Sequence, residues 1–329
     1  MQASIGIGLI GLGKHGERYA AHIAEDLPGL HLAAVCRQDE RQGERRAADL
    51  GARFHADLWR LAADRSVEAI VAAVPPVLHA EVVRAATAEG KPLLIEKPFA
   101  LDLSEAQELL RRIDEARGAV MVAHTLRFNA VVERMRAWAD EIGAPHQIIL
   151  GQSFEPSPLA WLDDPARSGG GNILHTGIHE FDLARYLTGA EAAEVSCLAG
   201  RVATERTEDS FAAQLFLTRS GAGTVLASIT ASRGTQSRYG EIRLIGSEGQ
   251  IAADHAHGTI QWIRGRELVR EETLADRPTV KVALEAFEQM VRHAAEAPVT
   301  ARDGARAVAI ADACYRSLRS RRREAVAGI

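Results

Sequence analysis

The stretch SIGIGLIGLGKHGERYAAHIAED (4–26) decides how the N-terminal part of this chain folds. It begins as a short apolar run and continues as a polar-apolar helix. Gly11-Leu12-Gly13-Lys14-His15-Gly16 falls at the join. A GxGxxG alone is a weak signal, but where a strand turns into a helix it has a physical meaning. Glycines permit a tight turn and bring the backbone close to a pyrophosphate, which then sits against the amides of the helix N-terminus. A glycine-rich turn with no ligand is the bland alternative, and the context favours dinucleotide binding. Lys14 and His15 either contact phosphate or face water.

Outward from this stretch the pattern repeats. HLAAVCR (31–37), AIVAAVP (69–75), PLLIEKP (92–98) and AVMVAH (119–124) are further apolar runs, separated by the helix-like DERQGERRAADLG, LHAEVVRAATAEG and SEAQELLRRIDEARG. Strands that are apolar throughout, alternating with amphipathic helices, indicate a parallel sheet covered on both faces, a doubly wound α/β domain. Which dinucleotide it takes is read at the end of the second strand, where NAD-binding versions place an acid for the ribose 2′-hydroxyl. Here that strand ends Val35-Cys36-Arg37-Gln38, with acids only at Asp39 and Glu40. Arg37 suits a 2′-phosphate and can stack on adenine, so NADP is favoured. The alternative leaves Arg37 in solvent and puts Asp39 on the ribose, giving NAD or dual use.

The totals bound the rest. At 329 residues, 47% hydrophobic and 25% charged, the chain has room for two domains with ample core. A net charge of −5 argues against nucleic acid as a partner, since phosphate neutralisation needs a basic field. The basic run YRSLRSRRR (315–323) reads as a solvated last helix. Cys36, Cys197 and Cys314 are odd in number and far apart, the pattern of reduced thiols. Met1 opens almost directly into a strand-like run, and no apolar run approaches the ~20 residues of a membrane span. A cytoplasmic protein with no membrane partner is expected.

Only Lys14, Lys91, Lys97 and Lys281 are lysines, in a chain that otherwise writes its cations as Arg. Lys97 therefore stands out in Glu96-Lys97-Pro98, at the carboxyl end of an apolar strand, where ligands of such sheets bind. Desolvation there can bring a lysine toward neutrality and make it a usable acid or base. A strand-end surface lysine is the alternative.

At this motif the chain resembles the Gfo/Idh/MocA family, the glucose–fructose oxidoreductase and inositol dehydrogenase group. AAVPPVLHAEVVRAATAEGKPLLIEKPFA (72–100) is similar to the family's stretch leading to its EKP motif. WLDDPARSGGGNILHTGIHEFD (161–182), IRLIGSEGQI (242–251) and PVTARDGARAVAIADACYRSLRS (298–320) resemble its triple-glycine segment, a later strand and its closing helices. The resemblance implies a Rossmann domain over 1–124, then an α/β domain over 125–329 with a large, mostly antiparallel sheet, the last helices packing back on the first domain. EVSCLAGRVA, DSFAAQLFLT, GTVLASITAS, YGEIRLIGSEG and GTIQWIRG read independently as strands of such a sheet. The family often associates through that sheet, which implies a homodimer or homotetramer.

The resemblance also implies site residues. Pro75, His79, Glu96 and Lys97 join Gly11, Gly13, Lys14, His15, Gly16 and Arg37 around the cofactor. Against the family's GGGxxxDxGxHxxD, the glycines are Gly169–Gly171, the final histidine is His179 and the last acid is Asp182, while His175 replaces the first Asp. Lys97 then handles the alcohol proton, His179 bonds the reacting hydroxyl or shuttles its proton, and His175 is a polar pocket group. A carboxylate at that place would hold Lys97 protonated; a neutral imidazole would not, and an imidazolium would repel it. Arg127, followed by Phe128, matches a family Arg-Phe near the substrate, with a helix-start arginine as the alternative. Trp161 either stacks on a sugar face or packs the domain. Asp182 either meets substrate or pairs with Arg185.

A spacing of four on a helix puts His175 and His179 on one face. That pair is also compatible with a zinc site, His146 or Asp182 being the third ligand, or with two core histidines. No glutamate of an HExxH is present and nicotinamide chemistry needs no zinc, so no metal is expected. The resulting expectation is an NAD(P)-dependent oxidoreductase acting on a secondary alcohol of a sugar, cyclitol or related polyol. Its rivals are a non-catalytic dinucleotide-binding sensor and a reductase of a non-sugar substrate such as an imine or tetrapyrrole.

Overall fold

The computed structural model describes residues 3–219, 221 and 223–329. The opening apolar run forms β1 (Ile5–Ile10), buried at every position. A strand buried on both faces has to lie inside a sheet, and β1 does: it pairs in parallel with β2 (Leu30–Cys36) and β4 (Ala69–Ala72), Ile7 lying between Leu32 and Ala69. β3 (Arg53–His55), β5 (Leu93–Ile95) and β6 (Val120–Val122) complete six parallel strands in the order β3-β2-β1-β4-β5-β6. Strand order reverses between β1 and β4, the switch point at which such sheets bind ligands. Helices α1 (Lys14–Ala21), α2 (Glu40–Asp49), α3 (Leu58–Ala63), α4 (His79–Ala88) and α5 (Leu103–Ala116) connect the strands. The sequence pattern showed five of the six strands. It missed β3, a three-residue edge strand of Arg, Phe and His with no apolar run to betray it.

The second sheet is larger. α6 (Ala130–Trp138) precedes β7 (Pro145–Ser153), and α7 (Pro165–Ser168) and α8 (Ile178–Thr188) precede β8 (Glu191–Gly200). Then follow β9 (Ser210–Thr218), β10 (Thr224–Ser232), β11 (Tyr239–Gly246), β12 (Gln250–Asp254), β13 (Thr259–Arg264) and β14 (Glu267–Thr273). After α9 (Thr279–His293) and α10 (Ala301–Ser320), β15 (Glu324–Ala325) closes a nine-stranded order β14-β13-β12-β11-β7-β10-β9-β8-β15. Among the described residues only β7 and β10 are parallel neighbours in this sheet; the other pairs are antiparallel.

Burial alternates along β9 and β10, as one covered face demands. Phe211, Ala213, Leu215, Val225, Ala227 and Ile229 point into the core, which α6 and α8 cover, while Leu226 on the other face is 55% exposed. Central β7 escaped the sequence reading because only Ile148, Leu150 and Gln152 of its nine residues are buried. β14 escaped because it is mostly exposed and charged.

The chain divides into two compact units. One holds the residues up to Ala100, Ser104–Thr125 and Pro278–Ala305; the other holds Leu101–Leu103, Leu126–Arg277 and Arg306–Ile329. In the first unit α9 packs on α1, and Val122 N–H donates to the Val299 carbonyl.

Candidate active site

In the first unit the glycine loop has the form its sequence promised. Gly11 takes φ +97°, a conformation that side chains disfavour. A Cβ on Gly16 would run into the Gly11 carbonyl oxygen, so the helix can start this close to the loop only without one. Gly13 is the N-cap of α1 and supplies no side-chain acceptor. The first amides of the helix therefore keep their donors for a ligand, and the helix dipole favours an anion there. The residues fit a dinucleotide pyrophosphate.

At the end of β2, Arg37 donates through Nη1 to the Leu12 carbonyl at 2.7 Å and through Nη2 to Gln42 Oε1 at 2.7 Å. Its guanidinium is thereby held against the glycine loop. Asp39 is engaged elsewhere. Its carboxylate caps α2, accepting from Gln42 N at 3.0 Å and Gln42 Nε2 at 2.6 Å.

The turn after β5 is tied to the same loop. Glu96 is buried, yet its Oε1 receives the Tyr19 hydroxyl at 2.7 Å and lies 2.9 Å from His15 Nε2. Oε2 accepts the Lys97 amide at 3.2 Å. Burial alone raises the pKa of this carboxyl; the His15 contact, the Lys97 charge and the Tyr19 hydroxyl outweigh it and bring the group to about 2. Tyr19, by its own burial and the same contact, stays a phenol well above its usual range. Glu96 and His15, both expected at the cofactor, thus join α1 to the turn that carries Lys97. Lys97 itself is half-buried and precedes a cis peptide to Pro98. Pro75 caps the turn after β4.

His79, also expected at the cofactor, sits behind that surface. It is fully buried, with Nδ1 2.8 Å from the Pro98 carbonyl and Nε2 3.1 Å from the Val74 carbonyl, and burial lowers its pKa. Its two ring nitrogens span the turns after β4 and β5.

In the second unit, residues 173–177 wind as one π turn before α8 begins, a form of helix often found at functional sites. His175 is buried and donates from Nε2 to the Ser168 carbonyl at 3.1 Å, which fixes its tautomer when neutral. Trp161 presents its ring edge-on to His175, with centroids 5.8 Å apart. His179 lies half-buried on the first turn of α8. Behind the triple glycine, the Tyr315 hydroxyl accepts from Gly171 N at 3.1 Å and donates to Glu208 Oε1 at 2.8 Å.

Two residues expected at the substrate are paired with each other. Arg127 Nε and Nη2 fork the Asp182 carboxylate at 2.7 and 2.5 Å, with Asp182 1% exposed. Arg127 also lies over the Tyr186 ring, 4.6 Å from its centroid. The partner anticipated for Asp182, Arg185, is 3.6 Å away and forks Glu191 at 2.7 and 3.0 Å. The zinc alternative lacks its third ligand among the described residues: no three His, Cys, Asp or Glu groups stand together, His146 is exposed on β7, and Asp182 is engaged.

Sequence reasoning missed Tyr19, the second partner of Glu96. Tyr19 follows His15 by one helical turn, so its spacing was a usable signal.

Comparison with known proteins bears on both units. Residues 5–124 match the oxidoreductase family, NAD-binding Rossmann fold, and residues 139–326 match the oxidoreductase family, C-terminal alpha/beta domain. The chain is 28% identical over 277 residues to scyllo-inositol 2-dehydrogenase (NAD(+)) of Bacillus subtilis, covering 80% of this chain and 79% of the relative. It is 26% identical over 330 residues to myo-inositol 2-dehydrogenase of Thermotoga maritima, covering 96% and 97%. The solved structure of levoglucosan dehydrogenase in complex with NADH and L-sorbose superposes with a TM-score of 0.88 over the whole of both chains, at 20% identity, a likeness of fold.

Proposed function

The chain belongs to the Gfo/Idh/MocA oxidoreductase family, and from that membership we propose how its own residues carry the activity. It is an NAD(P)-dependent oxidoreductase that moves a hydride between a nicotinamide and a secondary alcohol or ketone of a sugar, cyclitol or related polyol. The bound dinucleotide supplies or takes the hydride. The protein's part is to hold it, orient the alcohol and handle the hydroxyl proton. Lys97 acts as general acid/base, His179 hydrogen-bonds the reacting hydroxyl, and His175, whose Nε2–H is spent on the Ser168 carbonyl, is a polar pocket group. Arg127 and Asp182 act as one brace within the second unit. NADP is the preferred cofactor, because Arg37 is fixed at the glycine loop while Asp39 is spent on a helix cap.

One observation carries this reading. The bare helix start and the lysine-bearing turn are joined through a single buried carboxylate, Glu96, so cofactor site and proton-handling group are built as a unit. The free, buried cysteines suit a reducing cytoplasm. The exposed side of the large sheet, with Leu226 at 55% and Leu198 at 77% exposure, is the surface for self-association.

The test is a titration with NADPH and NADH followed by nicotinamide fluorescence, then a polyol panel with the tighter cofactor. Lys97→Met is expected to keep cofactor binding and lose about 10²- to 10⁴-fold in kcat/KM. If neither dinucleotide binds, the enzyme reading falls.

A further inference from the structure

Arg233 directly follows β10. Its Nε donates to Thr176 Oγ1 at 3.1 Å, and its backbone amide donates to the Asp209 carbonyl at 2.9 Å. Its two Nη groups meet no acceptor among the described residues and are not sealed from solvent. Burial alone depresses its pKa; no carboxylate acts on it. Other arginines of this unit behave differently: Arg127 forks Asp182, Arg185 forks Glu191, and Arg238 meets Glu155 at 2.8 Å.

Thr176 stands one residue after His175 on the π turn, so this guanidinium borders the turn that carries the candidate substrate residues. The nearby acids that make hydrogen bonds are spent on other groups, and Glu180, four residues after Thr176, is buried with no hydrogen-bond partner on either oxygen among the described residues and with burial alone acting on it. Glu208 holds the Tyr315 hydroxyl and the Ile173 amide, and Asp209 holds the amides of Val202, Ala203 and Thr204. Asp163 holds those of Glu205, Arg206 and Thr207. His175 is an imidazole whose Nε2–H is spent on the Ser168 carbonyl and brings no negative charge. A largely desolvated cation without a counter-ion is costly, and a planar fork with two spare nitrogens matches a carboxylate.

We propose that Arg233 pairs with a carboxylate on the substrate, so that the polyol oxidised here is a sugar acid, a uronate or aldonate, rather than a neutral sugar or cyclitol. The proposal rests on the polyol reading above and adds its substrate class. A single guanidinium offers one charge and two coplanar donors, the complement of a carboxylate; a phosphate dianion would keep a charge unmatched.

The experiment compares matched pairs under the preferred cofactor: glucuronate with glucose, galacturonate with galactose, gluconate with glucitol, and glucose 6-phosphate as the phosphate arm. An acid is expected to exceed its neutral partner by about 100-fold in kcat/KM, the order of effect for one desolvated charge pair. Arg233→Met should remove that preference through KM, with kcat little changed, and Arg233→Lys should restore part of it. Equal use of neutral partners, preference for the phosphate, or equal loss on acids and neutrals in Arg233→Met overturns the proposal.

If no pair is turned over although NAD(P)H binds, the polyol reading has failed separately. Calorimetric titration of glucuronate and gluconate into the NAD(P)H-loaded protein then decides the Arg233 assignment. Binding that Arg233→Met abolishes upholds it, and absence of binding refutes it.

Discussion

His15 Nε2 stands 2.9 Å from Glu96 Oε1, so one buried carboxylate holds both the first turn of α1 and the turn after β5. The Glu96 carboxyl titrates near 2 in the folded protein against an ordinary 4.5. A depressed acid stabilises the fold above its ordinary pKa and loses that contribution as pH falls toward the folded value. His15→Ala should therefore lower stability by about 1–2 kcal/mol at pH 7, the worth of a hydrogen bond to a charged group. The deficit should shrink between pH 4.5 and 2. Urea melts at pH 7, 5 and 3 check this; a deficit that does not change with pH would assign His15 to packing.

Arg37 and Asp39 separate cofactor choice from stability. Arg37→Ala should weaken NADPH at least tenfold and leave NADH nearly unchanged, since only the 2′-phosphate loses its partner. Asp39→Ala should cost about 1 kcal/mol by uncapping α2 and leave the NADPH-to-NADH ratio where it was. Fluorescence titrations and thermal melts of both variants read the two effects. A cofactor ratio that moves with Asp39 and not with Arg37 would reverse the assignment to NAD.

What the sequence showed follows the range of the interactions involved. Strands β1, β2, β4, β5 and β6 are continuous apolar runs, so local pattern displayed them. The glycine loop was legible because Gly11 and Gly16 meet five residues apart in one turn. Links between distant residues were not. Tyr19 and Glu96 are separated by 77 positions, Arg127 and Asp182 by 55, and Arg233 and Thr176 by 57. Each residue alone has an innocuous reading, a core Tyr, a helix-start Arg, a loop Arg, and only tertiary packing chooses the partner. Nor does sequence display that His79 lies between the carbonyls of Pro98 and Val74, 19 and 5 positions away.

The Arg127–Asp182 fork is a test of bracing. Both groups are nearly inaccessible, so removing one takes the bidentate partner from a buried charge, Asp182 keeping the longer 3.6 Å contact to Arg185. Arg127→Met and Asp182→Leu should each destabilise by about 3–5 kcal/mol, and the double variant by much less than the sum, because two apolar groups leave nothing unpaired. A double-mutant cycle in urea measures the coupling. Additive losses would mean that the two side chains act independently and return Arg127 to the substrate.

Glu180 follows His179 on a helix buried nearly all round, and neither of its carboxyl oxygens has a hydrogen-bond partner among the described residues. Burial with no compensating charge pushes its pKa up to about 8 from 4.5, so the folded protein holds it as a neutral acid at pH 7. Between those two values the unfolded chain has released this proton and the native chain has kept it. Stability therefore falls as pH rises through that window, by about 1.4 kcal/mol per unit, or about 3 kcal/mol by pH 7. Below pH 4.5 both states are protonated and the penalty vanishes. Glu180→Gln keeps the shape and removes the titration. The variant should match the parent near pH 4.5 and become progressively more stable than it toward pH 8, in thermal melts taken at pH 4.5, 6.5 and 8. A stability difference that stays flat across that range would show that Glu180 is ionised in the fold, and would require a cation close enough to neutralise it.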